Sequence, residues 1–85
     1  MSGTRYIIAT RATPEDPAAW NGLAVARETE GRVLQAFEAY RRAVELRPGD
    51  RRIRRNFDRF LARNRERIVR EGQAVTAPAT PAESP

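Results

Sequence analysis

Four pairs of identical residues stand 34 positions apart within the first fifty residues of this 85-residue chain: Tyr6 and Tyr40, Ala9 and Ala43, Pro14 and Pro48, Asp16 and Asp50. Thr13 and Arg47 share the offset as a looser pair. No other feature constrains the fold as tightly. A period of this length that holds two helical stretches is the signature of helix pairs stacked side by side. The offset also decides the one ambiguous stretch. Residues 4–12 contain Tyr6-Ile7-Ile8, which favours a strand on propensity alone, yet the sequence offers no second strand to pair with it. As the counterpart of the segment around Tyr40, the stretch is expected to be helical.

Turn-forming residues separate the periodic stretches. They fall at Thr13-Pro14-Glu15-Asp16-Pro17, at Gly31 and at Arg47-Pro48-Gly49-Asp50. Asp16 before Pro17 reads as an N-cap followed by proline at the first helical position, where its missing N–H costs nothing. The helix that follows runs to about Glu30, with Trp20, Leu23, Ala24 and Arg27 on one face. Gly31 suits the left-handed conformation that ends a helix. A second helix is expected from about Arg32 to Arg47. Its apolar side is Val33, Ala36, Phe37, Tyr40, Ala43, Val44 and Leu46, and Pro48 and Gly49 stop it. Asp50 caps a third helix lasting to about Glu71. Ile53, Phe57, Phe60, Leu61 and Ile68 form its stripe, with most of the Arg opposite. After Gly72 come three Pro, one charge and no aromatic residue, a composition that predicts disorder.

Pro17 to Asp50 resembles one complete tetratricopeptide repeat. The family pattern places a bulky residue at repeat position 4, Leu at 7 and a small residue at 8, met by Trp20, Leu23 and Ala24. Ala at 20, an aromatic at 24, Ala at 27 and Pro at 32 are met by Ala36, Tyr40, Ala43 and Pro48. Gly31 falls at the turn between the helices. The usual Tyr at position 11 is Arg27 here, whose aliphatic stem can pack while its head reaches water. The resemblance implies an all-α fold of antiparallel helix pairs, a fragment of an α–α superhelix. Residues 1–15 are then an N-terminal half-repeat helix, 16–50 the complete repeat, 51–72 an Arg-rich capping helix and 73–85 a disordered tail. The capping segment starts in register, with Phe57 in the place of Leu23 and Leu61 in that of Arg27. It then departs, with Arg70 where the small Ala36 would fall. Stacked repeats need about three units for stability. The chain is therefore expected to associate with itself or another subunit through Tyr6, Ile7 and Ile8, or to be a piece of a longer array.

Composition narrows the chemistry. The chain has no Cys and no His. That excludes a disulfide framework, thiolate zinc sites, a cysteine nucleophile and the usual general base near neutral pH. There is no phosphate-binding glycine loop and no carboxylate cluster of metal-binding form. Asp16 and Asp50 are accounted for by capping. The expectation is a non-enzymatic protein without cofactor or metal. No apolar run approaches the ~20 residues of a membrane span, and the N-terminus has no secretory h-region, so cytoplasm is the expected location.

All sixteen basic residues are Arg, against eleven acids. Nine of them fall in residues 51–70 with only Asp58 and Glu66, a local net charge of +7. A GC-rich genome also writes Arg in place of Lys, so a solvated Arg face and a functional one both stay open. In the resembled family the first helices of successive repeats line a groove that receives a partner peptide. The implied positions here include Ala18, Asn21, Val25, Glu28 and Thr29, followed by Arg52, Arg55 and Arg59. Asn21 with Arg55 and Arg59 partly resembles the carboxylate-clamp form of that groove, although Val25 stands where a second polar clamp residue belongs. The implied ligand is an acidic protein or peptide, which Arg suits through bidentate carboxylate bonds. Two alternatives are a self-assembling oligomer and a nucleic-acid (RNA) binder. For the latter, Phe57 and Phe60 lie on the apolar stripe, so contact with RNA would be electrostatic alone. Glu38–Arg42 and Glu66–Arg70 are read as i,i+4 helix pairs.

Overall fold

Two aspartates set where two of the helices begin. Asp16 Oδ1 accepts from the Ala18 backbone N–H at 3.0 Å. Asp50 Oδ1 accepts from Arg52 at 2.9 Å and Ile53 at 3.1 Å. Each thereby satisfies N–H groups that a first helical turn leaves without partners. The computed structural model describes residues 2–76, with side chains from residue 4 to residue 73. They form α1 (Ser2–Ala12), α2 (Pro17–Thr29), α3 (Val33–Leu46) and α4 (Arg51–Thr76). No strand occurs among the described residues, and each helix packs on the next in chain order. The Tyr6-Ile7-Ile8 segment is helical, as the offset requires.

The turn between α2 and α3 is closed by Gly31, whose φ is 81°. Arg32 N–H reaches Arg27 O and Gly31 N–H reaches Glu28 O, both at 2.9 Å. These two bonds form a Schellman ending, which favours a residue without Cβ at the left-handed position. Ala24 of α2 and Ala36 of α3 are 0% exposed and share one core cluster, and Ala43 of α3 is likewise 0% exposed. Methyl side chains there let the two backbones approach closely. Leu23, Val33, Ala39 and Tyr40 close the core around them. Trp20 is only half-buried. Its indole N–H donates to Pro14 O at 2.8 Å and so pins the α1–α2 turn. The Arg27 side chain is 17% exposed, and its guanidinium pairs with Glu30 at 3.1 Å. That is the buried stem and solvated head expected of it.

Aromatic rings attach α4. Phe60 is 0% exposed. Its ring centre lies 5.0 Å from that of Tyr40, while Phe57 is 5.7 Å from both Tyr40 and Phe37. Two boundaries differ from expectation. α4 continues to Thr76, so residues 73–76 of the expected tail are helical, and 77–85 lie outside the described residues. Within α4, Asn64 has non-helical angles (φ −121°, ψ 16°). Its amide nitrogen donates to Phe60 O at 3.0 Å. A side chain that bonds its own i−4 carbonyl competes with the helical ladder and accounts for the break. The short-range ion pairs also shift. Glu38 pairs with Arg41 at 2.8 Å and Arg42 reaches Glu45 at 3.8 Å. The Glu66–Arg70 pair does not form among the described residues.

α1 docks through Tyr6, whose ring lies directly over Gly22 of α2. A Cβ at Gly22 would run into Cε1, Cδ1 and Cζ of that ring. Glycine in mid-helix ordinarily costs about 0.5–1 kcal/mol against alanine. Here Gly22→Ala is expected to lower the melting temperature, because the ring must leave its seat. In a Tyr6→Ala background the same substitution should raise it. Additive effects in that double-mutant cycle would contradict the contact.

Candidate functional site

α2 and α4 face each other across a polar seam, although neither is next to the other in sequence. Near its N-terminal end, Asn56 Nδ2 donates to Asn21 Oδ1 at 3.3 Å, and Arg59 Nη2 donates to Asn56 Oδ1 at 3.2 Å. In the middle, Glu28 receives Arg63 and Asn64. Arg63 Nε and Nη2 lie 3.0 and 2.9 Å from Oε2, and Nη2 is 3.0 Å from Oε1. Asn64 Nδ2 donates to the same Oε2 at 3.0 Å. At the far end, Arg67 Nη2 donates to Gly31 O at 2.9 Å and pairs with Glu71 at 3.2 Å. Beneath the seam, burial pushes the Tyr40 phenol above its ordinary pKa. Glu28 adds to that rise, and Arg63 and Arg59 oppose it.

The expected groove residues are thereby sorted. Asn21 and Arg52 meet in a cleft of about 270 Å³ between the start of α2 and the α3–α4 turn, with Asp16, Arg47, Asp50 and Ile53. Arg55 and Arg59 stand exposed on α4. Val25, 45% exposed, turns away from α4. It lines a separate hollow of about 350 Å³ against Tyr6, Gly22, Ala26 and Thr29, with Asn21 shared between the two. Glu28 is on the α4 side but is already engaged, with its side chain only 18% exposed. So Asn21 and Arg52 share one cleft, Arg55 and Arg59 stand exposed on the same helix as Arg52, Val25 lines the other hollow, and Glu28 neutralises Arg63.

Tyr6, Ile7 and Ile8 do not form a single open strip. Consecutive helical residues point about 100° apart. Tyr6 and Ile7 pack against the core cluster, and Ile8 alone of the three is fully exposed, at 62%.

Arg52, Arg55, Arg59 and Arg63 recur at i, i+3, i+7 and i+11 and so share one side of α4. Arg52 and Arg55 make no side-chain hydrogen bond or ion pair among the described residues. On α3, by contrast, both exposed guanidinium groups are neutralised by Glu38 and Glu45. Phe57 is half-buried and Phe60 fully buried, which leaves no ring on this face for a base to stack on.

Arg63, Asn64, Asn56 and Arg67 were not among the expected site residues. Their partners lie 35 or 36 positions earlier. The seam therefore follows the 34-residue offset plus one or two, which a search for complementary residues at that spacing would have found.

Among the described residues no group of acidic side chains is placed to hold a metal ion, and no helix is long and apolar enough to cross a membrane. No protein-family model, curated protein or solved structure matches the chain.

Proposed function

We propose that this chain is a non-catalytic protein-interaction module of the tetratricopeptide type, and that its ligand is an acidic peptide segment held between α2 and α4. One observation carries the proposal. Guanidinium groups without acidic partners at Arg52, Arg55 and Arg59 stand exposed along one side of α4, next to Arg63, whose own partner acid is Glu28. Four residues along a helix rise about 6 Å, and alternate residues of an extended strand advance about 6.6 Å. An extended peptide with acids on one side can thus meet Arg55 and Arg59 in step. Asn21 and Asn56 supply amide groups for its backbone. The 34-residue offset, the three buried alanines and the Schellman turn support the repeat assignment.

Fluorescence anisotropy with a labelled hexaglutamate peptide tests the groove. At low salt the wild-type protein should bind, and the Arg55→Glu/Arg59→Glu variant should bind at least about tenfold more weakly. Its melting temperature should be unchanged, since both side chains are exposed. A single-stranded oligouridine bound more tightly than hexaglutamate, with a steep log–log salt slope, would replace the peptide with nucleic acid.

A further inference from the structure

The seam contains a carboxylate that already sits where a ligand's would. Arg63 continues the line of Arg52, Arg55 and Arg59, yet it differs from Arg52 and Arg55 in that its guanidinium is filled from within the chain, by Glu28. Asn64 completes the seat. The break in α4 gives Asn64 non-helical angles, and its amide donates at once to Phe60 O and to Glu28 Oε2. Glu28 thus accepts from two side chains across the groove. Its own side chain is 18% exposed while that of Arg63 is 56% exposed. The seat therefore remains open to solvent on the Arg63 side.

On the reading of the groove as an acidic-peptide site, we propose that Arg63 and Asn64 form its carboxylate seat and that Glu28 occupies this seat in cis. An acidic side chain of the ligand, in step with those on Arg55 and Arg59, displaces Glu28. The exchange replaces one carboxylate by another on the same donors. Its cost is the cis contact that must open first, and the apparent affinity is lowered by the fraction of molecules in which the seat is filled. Glu28 so acts as a built-in competitor that sets how acidic a peptide must be to bind. The amide of a glutamine at position 28 is neutral and holds Arg63 less strongly.

Glu28→Gln should bind labelled hexaglutamate about fivefold more tightly than wild type. Glu38→Gln removes the same charge from α3, where Glu38 pairs with Arg41, and should change affinity less than about twofold. Adding Arg63→Gln to Glu28→Gln should abolish the gain. Equal binding by wild type and Glu28→Gln, or an equal gain from Glu38→Gln, overturns the seat and leaves the groove standing. Failure of both wild type and Glu28→Gln to bind hexaglutamate overturns the groove itself. Should Glu28→Gln melt below the assay temperature, the wild-type protein provides the test by NMR. The Asn64 side-chain amide signals should move as hexaglutamate is added, and unmoved signals in the presence of binding refute displacement.

Discussion

Phe60→Ala is expected to lower the melting temperature by more than about 15 °C, or to abolish the cooperative transition. Phe60 is 0% exposed and its ring packs against Tyr40 and Phe57. Truncating a fully buried phenylalanine costs about 3–5 kcal/mol, from lost burial and from the cavity left behind. A domain of this size holds only about 5 kcal/mol in total, and each kcal/mol moves the midpoint by about 4–8 °C. Phe57→Ala is the internal comparison. That ring is half-buried, so a smaller loss should follow from the same chemical change. Thermal denaturation followed by circular dichroism reads both. A Phe60→Ala midpoint within a few degrees of wild type would mean that α4 is not anchored through this ring.

The second large effect is the reverse operation, adding atoms where none fit. Ala36→Leu is expected to destabilise by about 1–3 kcal/mol or more through overpacking. Ala36 of α3 and Ala24 of α2 are each 0% exposed and belong to one core cluster. Leucine is nearly as good a helix former as alanine, so any loss reports on the distance between the two helices. Ala62→Leu, on the exposed side of α4, makes the same change with nothing to collide with and should be neutral within about 0.5 kcal/mol. Equal effects at the two positions would contradict close approach of α2 and α3.

The candidate site was less legible than the fold. Arg52, Arg55 and Arg59 could be placed on one side of α4 because helical spacing alone aligns them. Val25 could not be placed, because a small rotation of α2 decides whether it faces α4 or α1, and Tyr6 seated on Gly22 sets that rotation. Glu28 was counted as a residue offered to a partner. Whether a carboxylate is free or spent depends on which guanidinium stands opposite, and Arg63 is 35 positions away. Tyr6, Ile7 and Ile8 do not lie in one strip for a simpler reason, since three adjacent residues of a helix cannot share a face.

Sequence alone determined the local decisions: four helices, their caps at Asp16 and Asp50, the left-handed Gly31 and the small residues of the α2–α3 contact. Each of these is fixed by residues within a turn or two of one another, or by a period the chain repeats. Tertiary structure alone decided the ring of α1 seated on Gly22 and the carboxylate held across the seam. Those depend on how two helices are rotated and spaced when they meet. That is set by the packing of the aromatic cluster and the alanines between them, and no short stretch of sequence encodes it.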